Sequence, residues 1–318
     1  TAISADKVQL EEVDSLTTAD ADLFLQRARI TDEVMRQCLL RYSTERENAV
    51  HPLHLGLCVD VVLKAERSGR PLTPRDFSEV PDFQRRSEYL IEQLLKYVDD
   101  DLEYAIRALS ACRSFDYETC RLLGDALGFS VSFPTFERQL TSFSFIREIN
   151  FGEVKNSRHR QYRIHDLIRR LGNTPTEVEA HEVLVALYIE QQELERIYHV
   201  NQLDWRKGVD LWVEEFEKAL ALSRYERCST LLDIRRDLRI ETPFKLGLVS
   251  NAEGQYFQNL AQYVAAQQEY REAVTAYDKD LENVPGNIVT FNNRGNSLLR
   301  LADLQASLSH YQLAQKNY

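Results

Sequence analysis

A basic surplus is the first thing this sequence lacks: 39 Lys and Arg stand against 50 Asp and Glu in 318 residues, for a formal net charge of −11. A chain that binds phosphate backbones over its whole surface needs the opposite balance. One locally basic face remains compatible with that total. Glycine and proline are also scarce, at 11 and 8, which excludes long flexible or polyproline linkers. The longest apolar stretches, such as 53–63, contain polar residues and fall well short of the ~20 residues that cross a bilayer. No secretory leader is visible, and the chain opens on Thr1 without a start Met, so it reads as a fragment or a processed product. Five cysteines (Cys38, Cys58, Cys112, Cys120 and Cys228) form no CxxC pair and sit among apolar residues. That pattern predicts buried free thiols in a reducing compartment, hence a cytoplasmic location without membrane partners.

Catalytic signatures are missing too. There is no G-x-x-x-x-G-K-[ST], no apolar strand ending in paired acids that holds Mg²⁺, and no G-x-S-x-G. The seven histidines are scattered, and although His51 and His54 have i, i+3 spacing, no Cys or carboxylate nearby completes a metal set. The run Asp99-Asp100-Asp101 reads as helix N-terminal charge favoured by the helix dipole. The expectation is a chain that is not an enzyme and holds no metal or cofactor of its own.

What is present is helical periodicity, and near the C-terminus it repeats. A shift of 34 residues lays Phe257 on Phe291, Ala261 on Gly295, Tyr270 on Leu304, Ala273 on Ser307 and Tyr277 on Tyr311. This is the tetratricopeptide period, with small residues where paired helices approach and aromatics between pairs. Pro285-Gly286 breaks the chain between the two units. A shift of 45 lays Trp212 on Phe257 and Tyr225 on Tyr270, which predicts an earlier helix pair over 209–238 followed by an irregular insert over about 239–250. Thr174-Pro175 reads as a helix start, and the helix it opens is expected to run through Leu184, Leu187 and Leu194.

The middle of the chain differs. Helical spacing through Leu90–Leu95, Leu102–Leu109 and 116–127, then a short helix opened by Phe133-Pro134, gives way to alternation at Phe143, Phe145, Arg147 and Ile149. A polar stretch leads to a second alternating run over 161–164. Helices followed by a β-hairpin is the winged-helix order. The first segment offers one strand over 7–13 and helices near 18–28, 32–44 and 53–65, with Pro71, Pro74 and Pro81 marking a boundary. The fold expected is mainly α: a helical adaptor domain over 1–78, a winged-helix domain with a small β-hairpin over 79–172, and a helical solenoid over 173–318. The solenoid would end in tetratricopeptide repeats at about 251–285 and 286–318.

This order of parts resembles the back half of the signal-transducing P-loop ATPases of the NB-ARC type. Three local sequences carry the resemblance. His51-Pro52-Leu53-His54-Leu55 looks like the family's Gly-x-Pro-Leu motif, with Val50 in place of the Gly. Leu109-Ser110-Ala111-Cys112-Arg113-Ser114-Phe115-Asp116 is similar to its winged-helix segment. Tyr162-Arg163-Ile164-His165-Asp166-Leu167 resembles its Met-His-Asp motif, with Ile164 for the Met. The resemblance implies that Pro52 packs near the adenine of a bound nucleotide and that His165 reaches its phosphates in the ADP state. Asp166 would act as the latch that orients that imidazole or holds the winged helix. It also implies that ADP or ATP binds a longer parent protein through an upstream nucleotide-binding domain, and that the repeats bind a protein or peptide partner.

Other readings stand beside these. His165 also suits a plain helix-start position with Asp166 as cap, and Pro52 suits an ordinary first-turn proline. A winged helix is also a DNA-binding fold, and Arg147, Lys155, Arg158, Arg160, Arg163, Arg169 and Arg170 gather near the wing. Yet the helix that would enter the major groove offers only Arg138 and Gln139 beside Glu137, few donors for base readout. A plain repeat scaffold accounts for residues 173–318 and leaves the winged helix unexplained.

Overall fold

The computed structural model describes residues 15–46, 49–77, 85–149, 157–169, 175–188 and 193–317, apart from the side chains of 157, 167, 308 and 310–317. It is mainly helical and divides into two compact units, Thr1–Ala180 and His181–Tyr318. The expected strand over 7–13 and the expected boundaries at 78/79 and 172/173 lie outside the described residues.

The first unit opens with α1 (Thr18–Arg27) and α2 (Glu33–Ser43). Each is started by a side-chain cap: Thr17 Oγ1 accepts from Asp20 N at 3.2 Å and Asp32 Oδ1 from Val34 N at 2.9 Å. A small hairpin, β1 (Thr44–Arg46) and β2 (Ala49–Val50), follows, and Leu16 bridges to Val50. No sequence pattern announces it, because two or three residues are too few to show alternation. Next comes α3 (Pro52–Arg67), started by Pro52 in the first turn. Its residues 53–59 are all buried, as expected of a helix that is covered on every side. It packs between α2 and α4 (Arg86–Leu95), where Leu39, Leu55, Leu57, Leu90 and Leu94 are fully enclosed. Helices of the expected adaptor and winged-helix segments therefore share one core.

α5 (Asp100–Leu109) is capped by Asp99, whose Oδ1 accepts from Leu102 N at 2.9 Å, and α6 (Tyr117–Leu127) by Asp116 in the same way. The short α7 (Phe133–Arg138) leads to β3 (Ile146–Glu148), which pairs antiparallel with β4 (Tyr162–Ile164), Ile146 facing Ile164. On the other side of β4, Phe115 exchanges two backbone hydrogen bonds with Tyr162, at 2.9 and 2.8 Å. Phe115, Phe136 and Tyr162 pack their rings together beneath it. α8 (Asp166–Arg169) and the start of α9 (Pro175–Leu187) close the unit.

In the second unit, α10 (Glu193–Leu203) is separate from α9, so the long helix expected through Leu194 ends at Leu187. α11 (Trp205–Ala221) and α12 (Tyr225–Arg235) form the helix pair expected over 209–238. Trp212 and Phe216 fill the core between them, and Trp212 Nε1 donates to Leu231 O at 2.7 Å. The expected irregular insert over 239–250 is shorter: Pro243 starts α13 (Pro243–Asn259). α14 (Tyr263–Asn283) runs back against α13, and α15 (Ile288–Asn317) follows as one helix. The 34-residue shift laid the α13–α14 break at Ala261 on Gly295, which lies inside α15.

Candidate functional site

The sequence singled out Pro52, His165 and Asp166, and all three are in the first unit. The polypeptide turns into α3 through His51, whose N–H donates to Ser43 O at 2.8 Å and whose Nδ1 accepts from His54 N at 3.4 Å. Pro52 is the first residue of α3 and half-buried. The 16 aligned peptide units of α3 leave partial positive charge at this end.

His165 lies at the junction of β4 and α8. Its N–H donates to Phe145 O at 2.8 Å, and its carbonyl accepts from Ile168 N and Arg169 N at 2.9 and 3.2 Å. Two backbone anchors thus fix where the side chain leaves the sheet. Desolvation of the ring lowers the His165 pKa most; Asp166 opposes this, and the positive charges of Arg147, His51 and Arg163 lower it further. His51 and His165 therefore lie within electrostatic reach of each other, although 114 positions separate them in the sequence (165 minus 51). This brings the α3 N-terminus, with Pro52, into the neighbourhood of His165.

Asp166 is held by two arginines. Its Oδ1 accepts from Arg163 Nη2 at 2.7 Å and Nε at 3.2 Å, and from Arg169 Nη1 at 3.3 Å. Burial pushes its carboxyl pKa up, but Arg163 and Arg169 win and hold it below the ordinary carboxylate value. Asp166 is the first residue of α8, and the carbonyl of His165 precedes it as the start of that helix.

Sequence reasoning missed three sets of contributors. Arg147 and Arg163 were legible only as part of a basic cluster; their neighbourhood to His165 depends on the β3–β4 register. His54 is buried, and its Nε2 lies 2.6 Å from Ser87 Oγ on α4. Burial pushes its pKa down to about 3, with His51 and Arg86 acting in the same direction. His54 is therefore a neutral strut between α3 and α4. A third contributor is Asp60, in the third turn of α3, whose Oδ2 accepts from Ser144 N at 2.8 Å. Burial raises its pKa to about 6 against the lowering effect of Ser144. Gly56 permits this approach, because a Cβ there would stand 2.7 Å from Ser144 Cβ.

Chemically, the site offers donors and positive charge, suited to an anion. Among the described residues no group of three or more His, Cys, Asp or Glu is placed to hold a metal ion. All five cysteines are buried and free. No helix among the described residues is long and apolar enough to cross a membrane. No protein-family model, curated protein or solved structure gives a significant match to this chain.

Proposed function

We propose that this chain is the regulatory, partner-sensing region of a signal-transducing ATPase of the NB-ARC type. The P-loop core of that switch would belong to a nucleotide-binding domain outside these 318 residues, which contain no phosphate-binding motif of their own. One observation carries the reading: His165 is anchored by its N–H to Phe145, next to Ser144, which Asp60 of α3 holds, and it lies in the field of His51, Arg147 and Arg163. In this arrangement Pro52 packs near the adenine, and His165 donates a hydrogen bond to the phosphates of ADP. Asp166, gripped by Arg163 and Arg169, holds the β4–α8 junction that aims His165.

The order α5, Phe115, α6, α7, β3, β4, with Phe115 and β3 on either side of β4, supports a winged helix for that segment. The latch role is favoured over DNA binding because α7 is six residues long and carries one basic residue, Arg138. Asp60 and Ser144, joining α3 to the chain just before β3, support the same role. The helices of the second unit form a tetratricopeptide-like array that binds a protein or peptide partner. Partner binding strains the latch, ADP leaves, and the parent protein exchanges it for ATP and oligomerises.

The test is His165→Ala in the intact parent protein, read by calorimetric ADP titration and light scattering. A charge-assisted hydrogen bond contributes about 1.5–3 kcal/mol, so ADP affinity should fall by roughly ten-fold or more and oligomers should appear without the partner. Unchanged ADP affinity and an unchanged oligomeric state would remove His165 from the latch.

A further inference from the structure

The second unit has an open groove of about 600 Å³ between the start of α13 and the outer face of α14. That volume suits a small ligand or a few residues of peptide. One wall is Ile240, Pro243 and Leu246, all half-exposed, and the floor is Ala276. The other wall is a stripe of α14 (Glu272, Thr275, Lys279 and Asn283), exposed along its length. These positions recur at i, i+3, i+7 and i+11, so they form one face of the helix.

The charges of the groove are what select an occupant. Glu241, at its edge, is already paired with Arg239 at 2.6 Å. Glu272 and Lys279 have no ion-pair partner among the described residues. They stand two helical turns apart, about 10.5 Å along α14, with the apolar floor between them. Such an arrangement complements a segment with a cationic and an anionic side chain spaced by the same length, bracketing apolar residues. A polyproline-II peptide rises ~3.1 Å per residue with three residues per turn, so its positions i and i+3 share a face about 9.3 Å apart.

We propose that this groove docks a short extended segment of a partner protein, with a basic residue on Glu272 and an acidic residue on Lys279. The two apolar residues between them pack on Ala276 and against Leu246 and Pro243. Asn283 and Thr275 face the ligand backbone as hydrogen-bonding groups. The inference rests on the reading of the helical array as a partner-binding region and gives that region a site and a ligand chemistry.

The experiment uses the full chain and fluorescence anisotropy with three labelled, amidated peptides: Lys-Leu-Pro-Asp, Lys-Leu-Pro-Lys and Asp-Leu-Pro-Asp. The mixed-charge peptide should bind about five-fold tighter than either of the others, as an exposed charge pair allows. Glu272→Lys should transfer the preference to Asp-Leu-Pro-Asp, and Lys279→Glu to Lys-Leu-Pro-Lys. Both substitutions are at exposed positions, and circular dichroism checks that the helices remain. Binding of all three peptides that is blind to both substitutions overturns the groove, while leaving the array as a peptide binder elsewhere. No binding of any peptide also overturns the groove. The ADP measurement on His165 is independent of either outcome.

Discussion

His54 has the most perturbed imidazole of the first unit, and its environment explains why. It is 3% exposed, 2.6 Å from Ser87 Oγ, and has a pKa pushed down to about 3 by burial. The unfolded chain, with an ordinary imidazole near 6.5, takes up a proton that the folded chain refuses. Stability is therefore unaffected by this group above pH 6.5 and falls as pH drops below it, by about 2 kcal/mol at pH 5. His54→Gln should flatten that part of the acid dependence, measured by urea unfolding at pH 7.5 and pH 5. Identical pH dependence in the two proteins would show that His54 titrates normally in the folded state. In the sequence, His51 and His54 were legible as a pair at helical spacing, and the pair is real: their rings lie 4.5 Å apart. Their roles were not legible, because the Ser87 partner is 33 residues away and no local pattern announces it.

At the scale of elements, the α13–α14 pair shows which features local patterns carry. Of the aromatics legible as space-filling residues of a repeat, Phe291 is 52% exposed, while Tyr277 is fully buried, as is Tyr270. The notches that receive them were not. Gly254 faces the Tyr270 ring and Gly247 the Tyr277 ring, where an added Cβ would stand 2.7 and 2.5 Å from ring carbons. A glycine inside a helix reads as a breaker, so Gly247 with Pro243 suggested an irregular insert where α13 begins. Gly254→Ala should destabilise the second unit by about 1–3 kcal/mol through overpacking, against a helix-propensity gain of about 1 kcal/mol. The Tyr270 ring cannot simply yield, since its hydroxyl donates to Gln258 Oε1 at 2.7 Å. Gly295→Ala is the control: nothing lies within 4 Å of its Cβ, so it should stabilise α15 by up to about 1 kcal/mol. Thermal unfolding that ranks Gly254→Ala at or above Gly295→Ala would contradict the close fit. The repeat register failed for a related reason. A 34-residue shift matches amphipathic faces wherever hairpins lie, whereas a shift of 41 lays Gly254 on Gly295 and Leu260-Ala261 on Leu301-Ala302. α15 nevertheless runs through that point unbroken.

At the scale of the molecule, helix content and the succession of helices, short hairpin and further helices were legible because amphipathic spacing and capping residues such as Asp99 and Asp116 are local signals. The grouping into units was not. The adaptor and winged-helix segments expected to be separate are joined through α3, whose Leu55, Leu57 and Cys58 are fully buried and whose Asp60 reaches Ser144. Sequence spacing cannot show a contact across 84 positions. The same contacts give the proposed latch its mechanical basis, since α3 carries Pro52 at one end and meets the β3 side of the sheet beyond it. The account stands or falls on a nucleotide-binding core joined to this chain. The most direct measurement is the coding sequence for several hundred residues upstream of Thr1. The account predicts a G-x-x-x-x-G-K-[ST] motif followed by an apolar strand ending in acids, which would give His165 a phosphate to bind. A start codon immediately before Thr1 would contradict it.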